Sequence, residues 1–225
     1  MRERVEFPSN GHKCQGYFAA PASGKGPAVV VIQEWWGLVE HIENVVDRFA
    51  AAGFVALAPD LYHGKTTTSP NDAGKMLMEL DAERAVQEIA GAGTYLLSRP
   101  ECSSTKYGVI GFCMGGALAQ YAATKDPDHV GAAVSFYGGF KEVTPEWENL
   151  QAPILLIYGE NDRGVPAERG RELQAKLQKL GKNAELAIYP NADHAFFNDA
   201  RPEVHNPDAA ADAWTRTLEL FRRSL

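Results

Sequence analysis

Residues 111–115 read Gly-Phe-Cys-Met-Gly, with Tyr-Gly-Val-Ile before them and Gly116-Ala117 after. A thiol at the centre of such a segment suits nucleophilic chemistry, provided a strand leads in and a helix leads out. The turn that exposes a nucleophile in this way is tight. Side chains two residues before and two after it would collide, and Gly111 and Gly115 avoid the collision. A helix beginning at Met114 would aim its first N–H groups at the sulfur. That arrangement favours a thiolate and can hold an oxyanion forming on a substrate. A cysteine without such surroundings is usually a small buried apolar residue. Cys14 and Cys102 lack the context and read as packing residues.

A thiol nucleophile needs a base, and the base needs an orienting group. Downstream of Cys113, the apolar run Ile154–Tyr158 leads into Gly159-Glu160-Asn161-Asp162, and Glu185–Tyr189 leads into Pro190-Asn191-Ala192-Asp193-His194-Ala195-Phe196. Both runs place polar residues just past the carboxyl end of a strand, where open parallel sheets bind their ligands. Cys113, Asp162 and His194 follow one another in the order nucleophile, acid, histidine. A loop aspartate alone is ordinarily a turn former; it is the three-part coincidence that argues for chemistry. Glu160 and Asp193 are rival acids. His12, His41, His63, His129 and His205 read as surface or loop residues, with His63 within reach of a ligand.

The elements that must position these residues are an alternation of short β-type runs and longer helical patterns. Val5–Phe7 and Lys13–Ala19 flank Pro8-Ser9-Asn10-Gly11, and Asn-Gly predicts a hairpin turn. Ala28–Gln33 is a continuous apolar run suited to a strand buried on both faces. Ile42, Val45, Val46 and Phe49 have helical spacing, with Gly53 as the stop. Further strands are expected at Phe54–Ala58, Lys106–Ile110, Ala132–Tyr137, Ile154–Tyr158 and Glu185–Tyr189. Helices are expected over 72–97 (broken near Leu80), over Met114–Thr124, around Leu173, Leu177 and Leu180, and around Trp214, Leu218 and Phe221. Asp60–Asn71 is the longest loop. The pattern predicts an α/β fold with an eight-stranded, mostly parallel sheet and helices on both faces. No linker divides residues 1–225, so one domain is expected.

Composition narrows the function. At 225 residues with 45% hydrophobic and 23% charged side chains, the chain is an ordinary globular one rather than a disordered one. A net charge of −7 disfavours a nucleic-acid surface. The longest apolar run, Ala28–Ile32, falls far short of the roughly 20 residues of a membrane helix. No secretory signal pattern begins the chain, and three cysteines suit a reducing cytoplasm better than a disulfide scaffold. No metal or organic cofactor is implied, since the zinc, Walker and dinucleotide patterns are all missing.

Several of these segments together resemble the dienelactone hydrolase family, a cysteine-nucleophile branch of the α/β-hydrolase fold. They are Gln33-Glu34-Trp35-Trp36-Gly37, Ala58-Pro59-Asp60-Leu61-Tyr62, Gly111–Gly116, Gly159–Asp162 and Asp193-His194-Ala195-Phe196, five motifs in order over nearly the whole length. The resemblance implies that Cys113, Asp162 and His194 form a catalytic triad and that Glu34 contacts the nucleophile and tunes its ionisation. The N–H groups of Met114 and Trp35 would form the oxyanion hole. Trp36, Tyr62, Phe196, Asn198 and Arg201 are the candidate substrate contacts. Asn198 stands where the family pattern has an arginine that holds a substrate carboxylate, and Arg201 is a substitute for it. The expected activity is hydrolysis of a small lactone or enol ester, of carboxymethylenebutenolidase type, through a thioester acyl-enzyme. The alternatives are a redox-sensing or ligand-binding protein on the same fold, and a relaxed-specificity esterase or thioesterase. The expected partner is a small-molecule ester or lactone, with no nucleic acid and no membrane.

Overall fold

The computed structural model describes residues 1–140 and 143–225. Eight strands form one sheet: β1 (Arg2–Ser9), β2 (His12–Ala19), β3 (Gly26–Ile32), β4 (Val55–Pro59), β5 (Cys102–Phe112), β6 (Val130–Phe136), β7 (Ile154–Gly159) and β8 (Ala184–Tyr189). Their spatial order is β1-β2-β4-β3-β5-β6-β7-β8. β1 and β2 are antiparallel, as are β2 and β4, and the remaining pairs are parallel. The hairpin turn is the expected Asn-Gly one. Asn10 and Gly11 both have positive φ, 49° and 75°, which a two-residue hairpin loop needs to match the strand twist.

Among the described residues, six α-helices cover the sheet: α1 (Glu40–Ala51), α2 (Pro70–Glu79), α3 (Ala82–Ser98), α4 (Met114–Lys125), α5 (Ala167–Lys179) and α6 (Pro207–Ser224). α1 buries Ile42, Val45, Val46 and Phe49, the stripe read from their spacing. The predicted break near Leu80 separates α2 from α3. Leu80 is extended, and the next residue, Asp81, caps α3 by accepting from the N–H groups of Glu83 and Arg84 at 3.0 and 3.1 Å. β5 begins at Cys102, four residues before the expected start, and a 3-10 turn at Trp147–Asn149 was not foreseen.

The core has two halves, one on each side of the sheet. One joins Ile89 of α3, Leu118 of α4 and Leu177 of α5. The other joins Phe49 of α1 and Phe221 of α6 with Phe54, Phe112, Phe136 and Phe197. α4 is buried from Met114 to Thr124, which explains its alanine-rich, stripeless sequence. Among the described residues no helix is long and apolar enough to cross a membrane.

Phe221 is fully buried against Phe49 and Phe54, at ring separations of 5.9 and 6.3 Å. Phe221→Ala should lower unfolding stability by about 3–5 kcal/mol through lost burial and the cavity left behind. A urea titration measures the loss as a shift in midpoint.

Candidate active site

The turn from β5 to α4 is set by backbone crowding. A Cβ at Gly111 would run into the carbonyl oxygen of Gly115, and one at Gly115 would run into the carbonyls of Gln33 and Ile32 at the end of β3. The demand extends to Gly116, where a Cβ would lie 2.5 Å from the Phe136 carbonyl oxygen at the end of β6. Cys113 is left at φ 55°, ψ −116°, a conformation that costs a non-glycine residue about 1–3 kcal/mol. The surrounding backbone holds it there. Its N–H donates to the Phe136 carbonyl at 3.1 Å, and its carbonyl accepts from the Ala117 N–H at 3.2 Å. The Met114 N–H, first in α4, has no acceptor within the helix and points from the turn.

Asp162 and His194 arrive from the two neighbouring strand ends. The loops after β7 and β8 are pressed together: Asn161 N–H donates to the Ala192 carbonyl at 3.0 Å, and a Cβ at Gly159 would collide with that same carbonyl. Asp162 is buried, and both its oxygens are occupied. Oδ2 lies 2.6 Å from His194 Nδ1, and Oδ1 accepts the N–H groups of Gly164 and Val165, each at 2.8 Å. The imidazole is thereby held with Nδ1–H toward the carboxylate. Burial works against a charged imidazole. The hydrogen bonds to Asp162 and Cys113, with the charges of both groups, outweigh it and push His194 up to about 10. At neutral pH the ring is therefore an imidazolium facing a sulfur. The rival acids Glu160 and Asp193 are exposed and hold no such place.

Glu34 differs from its expected place. It is buried at the end of β3, and Asn198 Nδ2 donates to its Oε2 at 2.9 Å, so its hydrogen bond goes to Asn198 rather than to the nucleophile. Burial raises its carboxyl above the usual range, while the Asn198 bond and the charges of His194 and Arg201 oppose that rise. Asn198 is spent inside the protein at both ends, because its Oδ1 accepts the Ala200 N–H at 3.1 Å. A cavity of about 480 Å³ opens beside it, walled by Trp36, Val39, Thr67, Pro70 and Arg201. Arg201 Nε donates to Glu203 at 2.9 Å. Trp35, half-buried, packs edge-on to Trp36 with ring centroids 4.9 Å apart.

Two further expectations need correction. Phe196 is fully buried among Phe136, Tyr137 and Tyr189, so it packs the core rather than meeting a ligand. His41 is no surface residue. It is 4% exposed, with Nδ1 3.3 Å from Asp199 and its ring edge-on to Phe112 and Phe197. Tyr62 is buried near Cys113, and its hydroxyl reaches Met114 Sδ at 3.3 Å.

One residue of the site escaped the sequence reading. Tyr137 follows β6 directly, has φ 38°, and lies with its ring 4.8 Å from that of His194. Its position just past a strand end, like those of Glu34 and Asp162, was the available signal. Among the described residues, no group of three His, Cys, Asp or Glu side chains is placed to hold a metal.

The His194 shift carries a pH signature. A histidine raised from 6.5 to about 10 adds stability that is complete below pH 6.5 and lost as pH rises through 10. Wild-type protein should therefore exceed Asp162→Asn in stability at pH 6, with the difference shrinking by pH 10.5. Thermal melts of both proteins across that range check it.

Residues 14–225 match the model of the Dienelactone hydrolase family. Over 233 aligned residues spanning all of both chains, the sequence is 41% identical to "Protein usf" of Aquifex pyrophilus. It is 37% identical, over an equal span, to an Aquifex aeolicus (strain VF5) protein named "Putative carboxymethylenebutenolidase". A crystal structure from Klebsiella pneumoniae subsp. pneumoniae MGH 78578, described as "Putative Dienelactone Hydrolase", superposes with a TM-score of 0.89 at 28% identity, covering 99% of this chain and 98% of that one. An eight-stranded sheet of this order, with a tight turn at Cys113 between a central strand and a buried helix, is the α/β-hydrolase fold, and the chain belongs to the dienelactone hydrolase family.

Proposed function

We propose that this family member hydrolyses a small activated ester, a lactone or enol ester of the carboxymethylenebutenolidase type, with Cys113 as nucleophile. The observation that carries the reading is the His194–Asp162 pair at 2.6 Å, held with every oxygen of Asp162 occupied at the ends of β7 and β8, on the same sheet edge as Cys113 at the end of β5. The Cys113 proton resides on His194, whose imidazolium holds the sulfur as a thiolate. The thiolate attacks the substrate carbonyl carbon, and the N–H groups of Met114 and Trp35 receive the oxyanion. Collapse of that intermediate breaks the ester bond, and the leaving oxygen takes the proton from His194. A thioester to Cys113 remains. His194, neutral again, draws a proton from water, whose oxygen attacks the thioester; the acid is released and the thiolate restored. Asp162 fixes the imidazole tautomer throughout.

Substrate would enter beside Trp36 and Arg201, in the cavity that reaches Asn198. Glu34, next to His194 but bonded to Asn198, is assigned a supporting electrostatic role instead of the first proton transfer. Three free cysteines agree with a reducing, cytoplasmic setting, and the unit acts on a small molecule as one domain.

Cys113→Ala should abolish turnover of p-nitrophenyl acetate, whereas Cys102→Ala should leave it unchanged. Intact mass after rapid mixing with wild type should reveal an acyl adduct of one per chain that clears with time. Undiminished turnover in Cys113→Ala, or an adduct that never clears, would remove the hydrolase reading in favour of a binding or sensing protein.

A further inference from the structure

The cavity beside Asn198 has in its wall a polar group that the protein leaves without a partner. His41, near the start of α1, lines that cavity of about 480 Å³ and is 4% exposed. Its Nδ1 lies 3.3 Å from Asp199 Oδ1. A carboxylate oxygen only accepts, so the ring proton sits on Nδ1 and Nε2 keeps its lone pair. Burial holds the imidazole below its usual titration range against the pull of Asp199, so the ring is neutral at neutral pH. Among the described residues nothing donates to Nε2.

The packed side of the ring is no source of a donor. Phe112 and Phe197 meet it edge-on, with ring centroids 6.3 and 6.5 Å away. The cavity is where a donor can enter. A buried acceptor without a hydrogen bond is destabilising, and a ligand that brings a donor relieves it. Charge around the cavity disfavours an anion. Arg201 is the one cation among the described residues of its wall, and its Nε already donates to Glu203 at 2.9 Å. Glu40 stands in the same wall, and Asp199 lies against His41. A ligand carboxylate placed there would face these three acids and one engaged guanidinium.

We propose that His41 is a specificity-determining residue, its Nε2 receiving a hydroxyl of an uncharged lactone or ester held in this cavity. The proposal rests on the reading of the cavity as the substrate entry, and it names the substrate class: neutral hydroxylated esters, ahead of those bearing a carboxylate.

Lactones of one ring size test it: γ-butyrolactone, α-hydroxy-γ-butyrolactone and γ-carboxy-γ-butyrolactone. Their binding is measured by NMR titration of Cys113→Ala, a change outside the cavity wall that keeps the ligands intact. The hydroxylactone should bind roughly ten-fold tighter than γ-butyrolactone, and the carboxylate more weakly than either. In protein with nitrogen-labelled histidine, the His41 Nε2 resonance is assigned through its contacts with the Phe112 and Phe197 rings. It should carry no proton in the free protein and should move upfield with the hydroxylactone alone. His41→Phe should erase the preference for the hydroxylactone while leaving γ-butyrolactone affinity unchanged. Equal affinities for the two neutral lactones, failure of the hydroxylactone to bind, a carboxylate that binds tightest, or an Nε2 resonance unmoved at saturation overturns the proposal. So does a preference that survives in His41→Phe, which would place the hydroxyl on Thr67 or Thr68. The Nε2 shift is read in protein that retains His41, so it decides the outcome even where His41→Phe does not fold. If the preference and the shift appear while wild type leaves p-nitrophenyl acetate and the hydroxylactone intact, the hydrolase reading alone fails.

Discussion

The close approach of three backbone segments at the end of β5 governs the rest of the molecule. Because α4 begins against the carbonyls of β3 and β6, nothing larger than hydrogen fits at Gly111, Gly115 or Gly116. That crowding forces the chain to reverse within one residue, and Cys113 takes the positive φ the reversal requires. The same reversal starts α4 at Met114, directly after Cys113. The strain at Cys113 and the electropositive helix start beside it are therefore one feature seen two ways.

Neighbouring strand ends supply the charges around that turn. In the sheet, β3, β5, β6, β7 and β8 stand side by side, and they deliver Glu34, Cys113, Tyr137, Asp162 and His194 in that order. Burial penalises charge at His194 and at Glu34, and the outcome depends on the partner. His194 has a carboxylate and a sulfur as partners and becomes more basic. Glu34 has a neutral amide as its hydrogen-bond partner, and desolvation prevails. Two buried groups within one cluster are thus both biased toward holding a proton, for opposite reasons.

Much of this was legible in the residues. Gly111 and Gly115 announce the turn, and the strands ahead of Asp162 and His194 announce their shared edge. Asn10-Gly11 forms the hairpin it encodes, and Asp81 marks the break between α2 and α3. What stayed hidden depends on contacts between distant segments. Asn198 meets Glu34 across 164 positions, and no local pattern discloses that pairing. Phe196 and His41 could not be told apart from ligand contacts or surface residues by type alone. Their burial is set by distant aromatic rings, Phe136 and Tyr137 for Phe196, Phe112 and Phe197 for His41. Tyr137 lay within a run of strand-forming residues, where a tyrosine reads as ordinary core.

Among the described residues β8 borders the sheet on one side and pairs only with β7, and its positions are incompletely covered. Strands in such positions open locally at a fraction of the free energy of global unfolding, a pattern familiar from amide exchange. The loop bearing His194 hangs from this strand, whereas the Cys113 turn hangs from a central one. A thermally stressed population would then contain molecules with an intact sheet interior and the His194 loop parted from the Cys113 turn. The separation of those two loops is a peripheral event that runs ahead of melting.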